Sequence, residues 1–113
     1  MRYMTPKGRV RLVQQLRDLA ALAIQGSLVA VMIRCGKASC GCHQDPSRRH
    51  GPHLYLKFRN ADGRSTSLYI PRDRETEARQ AVEAWAGMWQ AMLELSHDNR
   101  EALVRRMRGK AKA

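Results

Sequence analysis

An α+β fold is predicted by three features of this sequence: an amphipathic stretch near the N-terminus, short β-type runs on either side of a cysteine-rich loop, and a long segment with three–four apolar spacing toward the C-terminus. The expected order is N-terminal helix, strand, metal loop, β-hairpin and long helix along 113 residues. That length suits one domain. The expected division is a flexible N-terminus over 1–8, a single metal-stapled domain over 9–108 and a basic disordered tail over 109–113.

From Arg9 to Gln25, the residues Val13, Leu16, Ala20, Ala23 and Ile24 recur at helical spacing, while Arg11, Arg17 and Asp18 lie off that stripe. Gly26 is then the expected helix stop. Ser27–Arg34 (SLVAVMIR) reads as a buried strand leading into the cysteines. Leu19–Ile33 imitates a targeting segment, yet it is too short to span a bilayer and shows no cleavage pattern. No membrane association is expected.

Leu54–Arg59 alternates Leu54, Leu56 and Phe58 with Tyr55, Lys57 and Arg59. Asn60-Ala61-Asp62-Gly63 is a turn signal, Ser65–Ile70 supplies a second strand, and Pro71 closes the hairpin. Tyr55 and Tyr69 should share its polar face with Lys57 and Arg59. Cross-strand packing is the plainer role for those rings, and contact with a single nucleic-acid strand is the sharper one.

The long helix is expected over 73–107, about 50 Å at 1.5 Å per residue. Asp73, Glu75 and Glu77 suit the positive end of its dipole. Val82, Trp85, Trp89, Met92, Ser96, Asn99 and Leu103 mark the stripe expected to pack on the first helix, with Trp85 and Trp89 as core. A break at Ser96-His97-Asp98-Asn99, with Asp98 and Glu101 as a capping box, is the alternative to an unbroken helix. The stripe exceeds what a small sheet can cover, so a homodimer through this helix is expected.

Every cysteine lies in the run RCGKASCGCHQDPSRRHGP, from Arg34 to Pro52. Cys35, Cys40 and Cys42 with imidazoles close behind are the donor set of a tetrahedral Zn²⁺ site. An odd number of cysteines forms no closed disulfide framework, which points to a reducing cytoplasm. His43 adjoins Cys42 too closely to converge with it on one ion. His50, before Gly51-Pro52, is the favoured fourth ligand, and His53 is the reserve. Buried free thiols, an iron–sulfur centre and a thiol-redox pair are the competing readings.

The strings Gly26-Ser27-Leu28-Val29, Arg34-Cys35-Gly36-Lys37, Cys40-Gly41-Cys42, His50-Gly51-Pro52 and Tyr69-Ile70-Pro71 resemble a family of small bacterial proteins, a domain of unknown function with the motif RCGKxxCxC…HGP. The resemblance covers about residues 26–105. It implies that His50 is the family's recurring histidine and that His53 replaces an aromatic. It also implies a mobile-element setting, and so an association with DNA.

Lys and Arg number 21 against ten acids, for a net charge of +11. The cations cluster. Residues 34–64 hold seven of them against Asp45 and Asp62, and the stretch from Arg100 to Lys112 holds six against Glu101. Polyanions are the natural partners of such faces, with DNA slightly ahead of RNA. Arg34, Lys37, Arg48, Arg49, Lys57, Arg59, Arg105, Arg106 and Arg108 are the candidate phosphate contacts. No phosphate loop, HExxH or GxSxG occurs, so a binding protein is expected and not an enzyme. The alternative is an interaction adaptor whose long helix docks on a recombinase or transposase, with the zinc purely structural.

Overall fold

The computed structural model describes residues 4–112, with side chains over 4–109. Met1–Tyr3 of the expected flexible end and Ala113 of the expected tail lie outside the described residues. The elements are α1 (Pro6–Ala20), β1 (Ser27–Ile33), β2 (His50–Arg59), β3 (Ser65–Ile70) and α2 (Glu75–Lys112). The fold is α+β: an N-terminal helix, a three-stranded antiparallel sheet carrying a Cys/His loop, and a long C-terminal helix. The chain forms two compact units, one over Ile24–Val82 and one from the described parts of Met1–Ala23 and Glu83–Ala113.

In the sheet unit the strand order is β1-β2-β3, so β2 is central. Ala30 lies opposite Leu54, Leu28 opposite Leu56, and Leu54 opposite Ile70. Directly opposed residues share a face, and this face carries the core. Leu54, Leu56 and Ile70 are buried together, with Leu28, Phe58 and the α2 residues Ala78 and Val82 packed on them. The expectation of a buried first strand needs correction. β1 is an edge strand whose residues are half-buried or exposed, because the first turns of α2 cover only one face of the sheet.

Gly26 also has a different task from the one expected. α1 ends at Ala20, and Gly26 instead lets the start of β1 approach β2. A Cβ there would lie 2.8 Å from both Leu56 Cδ1 and the Lys57 carbonyl oxygen. The hairpin turn forms where expected, with the Gly63 N–H donating to the Asn60 carbonyl at 2.9 Å. Beyond it Pro71 opens a short 3₁₀ turn at Arg72–Arg74, so α2 starts at Glu75 and not at Asp73.

In the helical unit α1 begins earlier than the apolar pattern indicates. Thr5 caps it, its Oγ1 accepting the Gly8 N–H at 3.0 Å, and Pro6 occupies the first turn, where a missing N–H costs nothing. Pro6–Gly8 are therefore helical rather than loose. Arg9 pairs with Asp98 at 2.7 Å, and Leu19 lies against Gly87, where an added Cβ would be 3.3 Å from Leu19 Cδ1. Moving up α1 from Arg9 to Leu19 thus moves down α2 from Asp98 to Gly87, which makes the two helices antiparallel neighbours.

The contact stripe is displaced by one residue from the expected one. On α2, Ala84 and Ala91 are buried around the half-buried Gly87, and on α1 Leu12 is buried. Trp85 and Trp89 are 38% and 53% exposed, and Met92, Leu103 and Met107 are exposed with them. The small residues decide this outcome. Helices approach closely where Ala and Gly line the seam, and each step along a helix turns a side chain by about 100°. With Ala84 and Ala91 inward, the tryptophans beside them point away. Val13 and Ile24, expected on the inner face of α1, are exposed as well.

α2 runs through Ser96–Asn99 without a break and continues to Lys112, past the expected end at Met107 and through most of the expected tail. Among the described residues no helix is long and apolar enough to cross a membrane.

Candidate metal centre

The connection between β1 and β2 brings the three thiols and one imidazole together. Donor atoms of Cys35, Cys40, Cys42 and His50 all lie within 4.8 Å of one another. Cys42 Sγ is 3.6 Å from Cys35 Sγ, and Cys40 Sγ is 3.3 Å from His50 Nε2. Thiolates on one tetrahedral ion, with metal–sulfur bonds of about 2.3 Å, stand about 3.8 Å apart. The cluster is therefore nearly at ligating separation, and these four residues can hold a metal ion.

Local backbone turns produce this convergence. The Cys40 N–H donates to the Lys37 carbonyl at 3.0 Å, folding Cys40 back over the Cys35 end of the loop. A 3₁₀ turn at Gly41–His43 follows and turns Cys42 inward, where it is 1% exposed. Asp45 starts a second turn at Pro46–Arg48, its side chain accepting the Ser47 N–H at 3.0 Å. The Ser47 hydroxyl and N–H hold the Asp45 carboxyl below its ordinary pKa. β2 then opens at His50, paired with Ile33 across an irregularity in the β1–β2 ladder. Gly51 is required at that point. Its φ is +135°, and a Cβ would come within 2.8 Å of the Val31 carbonyl oxygen and 2.9 Å of the His53 backbone nitrogen.

The sulfur electrostatics suit a cation. Hydrogen bonding from the Cys42 backbone, then from the His50, Cys42 and Cys35 side chains, lowers the Cys40 thiol to about 6. At Cys42 the Cys35 N–H, 3.4 Å from the sulfur, favours the thiolate. Desolvation and the neighbouring Cys40 and Cys35 thiols outweigh that bond and push Cys42 upward. A divalent ion would relieve this crowding of sulfurs.

The imidazoles near the loop separate cleanly. His50 reaches the cluster. His53 instead packs edge-on against Tyr69, with ring centroids 5.8 Å apart, and takes no part in it. His43 sends its Nε2–H to the Cys35 carbonyl at 2.9 Å, bracing the loop behind the donors. Adjacency in the chain keeps His43 from joining Cys42 on one ion, but nothing in the spacing reveals this bracing bond.

The candidate cations fall into three places. Arg34, Lys37 and Arg48 are exposed around the cysteine loop, while Arg49 is half-buried with its Nε shielded and without a hydrogen-bond partner among the described residues. Arg48 lies across Gly41, since a Cβ on that glycine would be 2.6 Å from its Nη1. Lys57 and Arg59 are exposed on β2. Arg105, Arg106 and Arg108 belong to the last turns of α2, in the helical unit.

The family described as a domain of unknown function (DUF6788) matches residues 5–80. The chain belongs to this family. The match takes in α1, the whole sheet, the cysteine loop and the first turns of α2, so the DUF6788 region contains the complete donor cluster. It reaches further toward the N-terminus than residues 26–105 and stops short of the exposed tryptophans. No curated protein and no solved structure matches the chain.

Proposed function

We propose that this DUF6788 chain is a zinc-stapled nucleic-acid-binding protein. One observation carries the reading: a Cys₃His donor cluster set in a loop whose exposed side chains include Arg34, Lys37 and Arg48. Three thiolates and one imidazole are the donors Zn²⁺ selects. They fill its tetrahedral shell and leave no position for a reactive water, which favours a staple over a catalytic centre. The centre would retain one net negative charge in a chain of +11, so the surface remains strongly basic. Arg48 lies beside Gly41 with its side chain exposed, where its planar guanidinium could meet a phosphate oxygen.

Binding to a DNA duplex should weaken steeply with salt. Replacing Arg34, Lys37 and Arg48 together by alanine should lower the slope of log affinity against log salt by about 3, at roughly 0.9 per phosphate contact. The slopes are read by fluorescence anisotropy over a salt series. A wild-type protein that retains no oligonucleotide at low salt would overturn the proposal.

The exposed stripe of α2 favours a second role, as a protein interface, and its sequence symmetry supports a second copy of this chain as the occupant. Trp85 and Met107 lie eleven residues either side of Ser96, and Trp89 and Leu103 lie seven either side. An antiparallel pairing about Ser96 therefore sets Trp85 against Met107 and Trp89 against Leu103 at both ends. It also brings Glu83 of one helix toward Arg108 of the other. Light scattering should give twice the chain mass, and Trp89→Glu should give the monomer with unchanged helix content. A monomeric wild type at high micromolar concentration excludes this interface.

A further inference from the structure

The sheet has a second face, and its residues form a pattern that the metal loop does not explain. Along β2 the side chains opposite to the core are His53, Tyr55, Lys57 and Arg59, in that order. Tyr69 of β3 stands directly across from Tyr55, and the two rings meet edge to face at 5.7 Å between centroids. Tyr69 also touches His53, so three rings make one continuous aromatic surface, with Tyr69 46% exposed. Lys57 and Arg59 continue the row, and the residues opposite them on β3 are Ser67 and Ser65, too short to cover them.

We propose that this open face is a platform for single-stranded nucleic acid, with Tyr69 and its neighbouring rings stacking bases and Lys57 and Arg59 holding the phosphates. The proposal rests on the nucleic-acid reading above and names the form of the ligand. His53 to Arg59 spans about 20 Å of strand, at about 3.3 Å per residue. Lys57 and Arg59 follow the rings along β2, and the loop that carries the exposed Arg34, Lys37 and Arg48 joins β2 at its opposite end. A duplex keeps its bases paired inside and offers the rings nothing to stack on. A single strand offers both the base faces and the phosphates. Because every base has a π-face, the platform reads little sequence.

The test compares a labelled oligothymidine with a duplex of equal length, both followed by fluorescence anisotropy at matched salt. Tyr69→Ala should weaken oligothymidine binding about 5- to 100-fold, the loss of one base–aromatic stack, and leave duplex binding and its salt slope unchanged. Tyr69→Phe, which keeps the ring, should bind like the wild type and shows that the hydroxyl is not the contact. Equal losses for both ligands, or no loss for oligothymidine, overturn the platform while the nucleic-acid reading stands. If the wild type binds neither ligand, that reading fails and the platform fails with it.

Discussion

Cys42→Ser is expected to release the metal and melt the loop between β1 and β2. The serine oxygen is a harder donor on a shorter bond, and its proton is not lost near neutral pH. It cannot replace a thiolate at the one donor that is fully enclosed. Binding of a metal here would be largely folding free energy, because the loop residues themselves supply little apolar burial. The loss should be about 3 kcal/mol or more, seen as a fall of roughly 10–20 °C in melting temperature for a domain of this size. Native mass spectrometry should count one zinc on the wild type and none on the variant. His50→Ala is the informative companion: its ligand is exposed and three thiolates remain, so metal affinity should fall while the loop retains partial occupancy. A Cys42→Ser protein with one zinc per chain and the wild-type melting temperature would remove the basis for the staple.

The donor cluster is legible in the sequence because its signal is local. Three cysteines among glycines within eight residues are poorly suited to core packing and well suited to gathering around one ion, and chain adjacency removes His43 from the choice of a fourth donor. His50 then emerges from its place before Gly51-Pro52, and the fold seats it against Cys40. The hairpin is legible for a similar reason, since strict alternation and the Asn60–Gly63 turn are written into neighbouring residues. Other features depend on partners far away in sequence. β1 looks buried by composition, and only the sheet order makes it an edge. The N-terminal boundary of α1 differs in kind: its signal, the cap at Thr5-Pro6, is local but lies outside the apolar stripe.

The largest departure from the sequence pattern concerns which face of α2 meets α1, and it leads to a second strong effect. Gly87→Leu should drive the two helices apart and destabilise the helical unit by about 1–3 kcal/mol. Apolar periodicity weights large residues, so it selects the stripe containing Trp85 and Trp89. The structure instead uses the smaller stripe, Ala84, Gly87 and Ala91, because close approach of two helix backbones needs small side chains more than bulky ones. Two variants at this glycine separate the effects. In Gly87→Ala the new methyl meets Leu19 Cδ1 at 3.3 Å, a squeeze that a side-chain end can relieve by a small shift. The better helix propensity of alanine, worth about 0.8–1 kcal/mol, then offsets that strain, and stability should stay near or slightly above the wild type. Leucine gains comparable propensity but carries a side chain that the seam has no room for. Denaturant midpoints of the two variants measure the difference directly. If Gly87→Leu is as stable as Gly87→Ala, α1 does not pack on this stripe, and the outward placement of the tryptophans loses its explanation.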